Sequence, residues 1–170
     1  MKNNIDPQHE LAKALARTLI ERGWKIALAE SCTGGLVSTT LTDLAGSSDW
    51  FERGYITYSN AAKTECLDVP AEMIDSFGAV SEQVAKAMAQ GARSNADVNA
   101  AIAITGIAGP TGGSPEKPVG TVCFGWAIKK NIDQDTVDII TSTMHFKGDR
   151  QTVREQACDY ALTEFISLLG

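Results

Sequence analysis

Ile26-Ala27-Leu28-Ala29-Glu30-Ser31-Cys32-Thr33-Gly34-Gly35-Leu36-Val37 is the stretch on which the reading of this chain turns. Its apolar start predicts a buried strand over residues 25–30. Ser31 to Gly35 then predict a tight turn, and Leu36, Val37, Leu41 and Leu44 predict a helix over residues 33–45, closed by Gly46-Ser47-Ser48. A strand that bends directly into a helix presents side chains and helix N-terminal N–H groups to one place. Here the bend carries a hydroxyl and a thiol, so a nucleophile and an anion site could share a few residues.

Working outward, Leu11, Leu15 and Leu19 mark an amphipathic helix over residues 8–22, with Pro7 in its first turn and Gly23 ending it. Gly54-Tyr55-Ile56-Thr57-Tyr58-Ser59 is β-branched and aromatic, which predicts a strand. Asn60 is the expected cap of a short helix from Ala61. Pro70 opens another helical piece that Gly78 stops, and Ser81 caps a helix running to about residue 95. Ala100 to Thr105 is a nearly continuous apolar run, as in a sheet covered on both faces. A loop rich in glycine and proline follows over residues 106–118. Residues 119–129 and 136–146 predict two strands joined by the polar 130–135 segment as an antiparallel hairpin. Asp149 is the expected cap of a last helix to about Leu169, with Val153, Ala157, Ala161, Phe165 and Leu168 on its buried face. Helices alternating with strands early, and a hairpin late, predict an α/β fold: one three-layer α/β/α domain over residues 1–170, with a mixed, mostly parallel sheet.

The 170 residues suffice for a substantial core. Only 6% are aromatic, so Ala, Val, Ile and Leu must fill it. A net charge of −6 and no basic run argue against duplex nucleic acid as the partner. Cys32, Cys66, Cys123 and Cys158 form no C-x-x-C pair and have no histidine at ligand spacing, which argues against a structural zinc site. The N-terminal residues lack the apolar core of a signal peptide, and no run reaches the ~18 to 20 apolar residues needed to span a bilayer. A reduced, cytoplasmic protein is expected.

Chemistry has few candidates. The loop Gly106-Ile107-Ala108-Gly109-Pro110-Thr111-Gly112-Gly113 follows a buried strand, where open α/β sheets bind ligands. It matches neither the P-loop nor the dinucleotide fingerprint. His9 and His145 sit in no cluster, so a Ser-His-Asp triad lacks material. A serine can instead be activated by a neutral lysine, and Lys63, after Tyr58-Ser59, is the candidate. An ordinary lysine has a pKa near 10.4 and is neutral in roughly one molecule in 2,500 at pH 7. Burial would have to lower that value to about 7 to 8. Tyr58 could relay a proton or fix the lysine. Cys32 is a rival nucleophile, because a thiol at a helix N-terminus can have a lowered pKa.

Five ordered motifs bear on the choice: Ala29 to Gly35, Tyr58-Ser59-Asn60-Ala61-Ala62-Lys63, Gly78-Ala79-Val80-Ser81, Thr105 to Pro110, and Lys117-Pro118-Val119-Gly120-Thr121-Val122. Together they resemble the C-terminal domain of the CinA competence/damage-inducible proteins and their stand-alone relatives, from about residue 9 to residue 168. The resemblance implies a hydrolase acting on a linear amide C–N bond. The implied enzyme is a nicotinamide-nucleotide amidase that would turn nicotinamide mononucleotide into nicotinate mononucleotide and ammonia in pyridine-nucleotide salvage. It implies Ser31 as nucleophile assisted by Lys63 and Tyr58, no metal or organic cofactor, and a homodimer. Cys32, Thr33, Gly34 and Gly35 are then expected to supply oxyanion N–H groups. Thr105, Gly106, Gly109 and Arg150 are expected on the substrate. Lys147 stands where the family often has proline before Gly148-Asp149-Arg150. The alternative is a catalytically degenerate nucleotide-binding or partner-binding domain, which would bind the mononucleotide without releasing ammonia.

Overall fold

A computed structural model describes residues 6–131 and 136–170. Its helices are α1 (Pro7–Arg22), α2 (Leu36–Thr42), α3 (Asn60–Leu67), α4 (Ala71–Phe77), α5 (Glu82–Ala96) and α6 (Arg150–Leu169). Its strands are β1 (Ile26–Glu30), β2 (Phe51–Ile56), β3 (Ala100–Gly106), β4 (Thr121–Ile128) and β5 (Asp138–His145), in the sheet order β2-β1-β3-β4-β5. β1 pairs in parallel with both β2 and β3, whereas β4 is antiparallel to both its neighbours. Four strands therefore run one way and β4 alone runs back, the mixed, mostly parallel sheet expected.

Strand alternation sorts the core into two layers. Ile26, Leu28, Ile102, Ile104, Phe124 and Trp126 pack with residues of α1, α2 and α6. The opposite face is made of small residues, Ala29, Ala101, Ala103 and Ala127, against Val84, Met88 and Ala89 of α5 and Leu67 of α3. Large side chains on one face and alanines on the other let α5 lie close to the strands. A Cβ at Gly125 would fall 2.5 Å from the Ala85 carbonyl oxygen.

The structure departs from the expected boundaries where tertiary pairing overrides local propensity. β2 covers residues 51–56, not 54–59. As an edge strand it tolerates Glu52 and Arg53, and its last ladder bond runs from the Thr57 N–H to the Glu30 carbonyl at 2.9 Å. Ser59, not Asn60, caps α3, its hydroxyl accepting from the Ala62 N–H at 3.0 Å. α2 is shorter at both ends than 33–45, because Gly34 and Gly35 hold positive φ angles of 57° and 101° that no helix accepts, and a 3-10 turn at Ser47–Asp49 follows it. Leu169 rather than Leu168 is the buried last leucine of α6. Part of the expected hairpin connection, residues 132–135, lies outside the described residues.

α5 approaches the end of α3 closely at Gly91, since a Cβ there would collide with the Leu67 carbonyl. Gly91→Ala should gain about 1 kcal/mol of helix propensity. It should lose more to the clash with backbone, for a net destabilisation of about 1–3 kcal/mol. Urea unfolding reads this as a lowered midpoint at unchanged slope, and a raised midpoint would refute the close contact.

Candidate active site

The site lies at the C-terminal ends of β1, β2 and β3, where the parallel strands deliver their following loops together. Strand alternation decides which way each residue of the β1 turn faces. Glu30 continues the face of Ile26 and Leu28, toward α2. Ser31 continues the face of Ala27 and Ala29, toward α3.

On the α3 side, Lys63 reaches Ser31 with Nζ 3.1 Å from Oγ. Its amine also donates to the carbonyls of Thr57, at 2.8 Å, and Tyr58, at 3.3 Å. Lys63 is 1% exposed, and none of the ion pairs among the described residues includes it. Burial therefore pushes its pKa down from the usual 10.5. A neutral amine has two N–H bonds and one lone pair. In that form both N–H groups can go to the two carbonyls and the lone pair to the Ser31 hydroxyl proton, whereas an ammonium would donate to all three oxygens. The three contacts thus suit a base and a nucleophile awaiting substrate.

On the α2 side, the Glu30 carboxylate is fully buried and saturated. It accepts from the N–H groups of Gly35 (3.0 Å), Val37 (3.2 Å) and Ser38 (2.8 Å) and from the Ser38 hydroxyl (2.7 Å). A carboxylate under a helix N-terminus satisfies the first-turn donors and complements the helix dipole. The N-terminus of α2 is consequently occupied by the protein's own anion. In the turn, the Ser31 N–H donates to Ile104 and the Gly34 N–H to the Ser31 carbonyl, both at 3.0 Å. Of the expected oxyanion donors, Gly34 and Gly35 are thus committed. The N–H groups of Cys32 and Thr33 find no acceptor in another described residue.

Cys32 is buried against the α1, α2 and α6 core. Burial pushes its thiol up to about 12, the reverse of an activated helix N-terminal cysteine. Its Sγ lies where a Cβ on Gly106 would come within 3.0 Å, so Gly106 serves close packing under the turn. Thr105 faces α5 and donates its hydroxyl to the Ala79 carbonyl at 2.9 Å. The Tyr58 ring is exposed, and its hydroxyl accepts from Arg150 Nη2 at 2.8 Å, not from Lys63. Arg150 Nη1 donates to the Gly109 carbonyl at 2.9 Å. Arg150 therefore ties the start of α6 to the glycine loop and to the loop after β2. His9 lies 3.9 Å from Asp43, and His145 bonds Thr121, so neither approaches the dyad.

Two functional features escaped the sequence reading. The motif reading gives Glu30 no role, although the two-residue strand period assigns it to the α2 face. Arg154, one helical turn after Arg150, donates from Nε to the Cys32 carbonyl (3.1 Å) and from Nη2 to the Thr33 carbonyl (2.8 Å). The i,i+4 spacing of the two arginines was the available signal that both face the site.

A sequence model of the CinA C-terminal domain matches residues 8–169. The nicotinamide-nucleotide amidohydrolase PncC of Enterobacter agglomerans is 49% identical over 162 residues, covering 93% of this chain and 95% of that protein. The nicotinamide-nucleotide amidohydrolase PncC of Escherichia coli K12 is 48% identical over 153 residues, covering 90% and 89%. Among solved structures, the competence/damage inducible protein CihA from Agrobacterium tumefaciens superposes with a TM-score of 0.91 at 38% identity over the whole of both chains.

Two substitutions check this electrostatic picture. Glu30→Gln replaces one acceptor oxygen with an amide donor facing N–H groups, and should cost about 2–3 kcal/mol of stability in denaturant unfolding at pH 7; an unchanged midpoint would mean that the carboxylate does not hold α2. For Lys63, the folded pKa lies below the unfolded 10.5. The unfolded chain then binds the extra proton between those values, and stability falls as pH drops from 10.5 toward the folded pKa. Lys63→Met should melt higher than the parent at pH 7, with the gap closing as pH rises toward 10.5. A gap that widens with pH would reverse the sign of the shift.

Proposed function

The chain belongs to the CinA C-terminal domain family, and from that membership and the Ser31–Lys63 contact we propose that it is a nicotinamide-nucleotide amidohydrolase. The proposed reaction converts nicotinamide mononucleotide to nicotinate mononucleotide and ammonia, in pyridine-nucleotide salvage. The observation that carries the reading is a buried lysine, without a carboxylate partner among the described residues, 3.1 Å from a turn serine. The names of two relatives nearly half identical over almost the full chain support the substrate.

In the proposed mechanism Lys63 takes the Ser31 hydroxyl proton while Oγ bonds the carboxamide carbon. The oxyanion is stabilised by the Cys32 and Thr33 N–H groups. Collapse breaks the C–N bond, and the Lys63 ammonium returns its proton to the departing nitrogen, releasing ammonia. Water then attacks the ester, giving its proton to Lys63. The C–Oγ bond breaks, and Lys63 reprotonates Ser31. The direct Lys63–Ser31 contact requires no relay, so Tyr58 is assigned to positioning: its carbonyl holds Nζ and its hydroxyl holds Arg150. Gly106, Gly109 and Thr105 shape the floor of the substrate site, and Arg150 keeps further N–H groups for the substrate phosphate. The proposal is completed by one amidase domain over the chain, needing no cofactor and working as a cytoplasmic homodimer on a small molecule rather than on nucleic acid or membrane. Among the described residues no helix is long and apolar enough to cross a membrane.

Ammonia release from nicotinamide mononucleotide by purified protein is the test. Ser31→Ala should abolish turnover, and Lys63→Met should lower kcat about 10²–10⁴-fold. Cys32→Ala should retain the serine chemistry. The parent kcat/KM should rise with pH through the lowered Lys63 pKa. Tight mononucleotide binding with no ammonia would establish the degenerate binding domain instead, and near-normal turnover by Ser31→Ala would assign the nucleophile elsewhere.

A further inference from the structure

The two turn N–H groups left for an oxyanion belong to peptide units whose carbonyls are both held. In a trans peptide the C=O and N–H point in opposite directions, and Gly109-Pro110 is the only cis bond among the described residues. The Thr33 N–H shares its plane with the Cys32 carbonyl, which accepts from Arg154 Nε. The Cys32 N–H shares its plane with the Ser31 carbonyl, which accepts from the Gly34 N–H. That Gly34 N–H shares its plane with the Thr33 carbonyl, which accepts from Arg154 Nη2. One guanidinium thus terminates both relays.

We propose that Arg154 is the positioning residue of the oxyanion hole, orienting the N–H groups of Cys32 and Thr33 through the peptide planes behind them. The inference rests on the amidase reading. Arg154 holds the turn from its carbonyl side, opposite to the donors that would meet the substrate oxygen. A cation at the carbonyl end of a peptide also polarises its N–H, strengthening the bond it gives. The planar fork suits two successive carbonyls, which a lysine could not span. Gly34, with φ at 57°, brings the turn against the guanidinium, for a Cβ there would sit 3.6 Å from Nη2. Arg150 does a different task four residues earlier, tying Tyr58 to Gly109.

Arg154→Met and Arg154→Lys test this by steady-state ammonia release from nicotinamide mononucleotide. Losing the orientation of oxyanion donors should lower kcat about 10²-fold, with KM held within about 3-fold. Lysine should recover part of the loss. The acidic limb of the kcat/KM profile, which reports Lys63, should stay in place. A kcat within about 2-fold of the parent, or a raised KM at unchanged kcat as for a phosphate ligand, overturns the assignment. If the parent itself releases no ammonia, the amidase reading fails separately. The backbone claim is then decided by amide chemical shifts. Those of Thr33 and Gly34 must move in Arg154→Met while that of Ala12 in α1 stays, and unmoved turn amides overturn it.

Discussion

Lys63 takes an amine into the interior with no acid paired to it among the described residues, and the candidate site is arranged around that fact. A buried ammonium without a counter-ion is strongly disfavoured, so burial shifts the Lys63 equilibrium toward the free base. The two carbonyls that hold Nζ, Thr57 and Tyr58, belong to the loop between β2 and α3. They are free to accept because β2 leaves the sheet at Ile56, after the Thr57 N–H closes the ladder on Glu30. Had the strand continued to Ser59, the α3 cap would be lost along with the lysine's acceptors. The early end of an edge strand is thus part of what the proposed chemistry needs.

The neighbouring turn is held by opposite charges on its two sides. Glu30 collects the N–H groups that begin α2, and Arg154 collects the carbonyls of Cys32 and Thr33. A strand-turn-helix unit would ordinarily offer its helix N-terminus to a ligand anion. Here an internal carboxylate occupies that place, and the donors that remain lie within the turn itself. In the proposed mechanism the anion site therefore moves from the helix to the residues directly following Ser31.

Local pattern made much of this legible. Pro7 and Gly23 bracket α1, Ser81 and Asp149 cap α5 and α6, and the apolar run at Ala100–Thr105 is a central strand. The same reasoning misplaced β2, because Thr57, Tyr58 and Ser59 have strand propensity while Glu52 and Arg53 do not, and only an edge position reverses that preference. Contacts between distant segments left no local trace. Lys63 meets Ser31 across 32 residues and Arg154 meets Cys32 across 122; motif resemblance joined the first pair and nothing in the pattern joined the second.

The choice between hydroxyl and thiol at the bend follows from one alternation. A residue's step along β1 changes the face it presents, so Ser31 turns to α3 and its amine while Cys32 returns to the α1, α2 and α6 core. There the thiol is desolvated and is driven up to about 12, although the nearby Arg154 and Lys63 act in the opposite direction. A thiol is the better nucleophile only as thiolate, and this environment keeps it protonated at neutral pH. Exchanging the two side chains would put sulfur near Lys63 and leave a hydroxyl stranded in apolar packing beside Gly106. The order serine then cysteine therefore places each group where its chemistry fits: the polar one against the Lys63 amine, and the small apolar one under the turn.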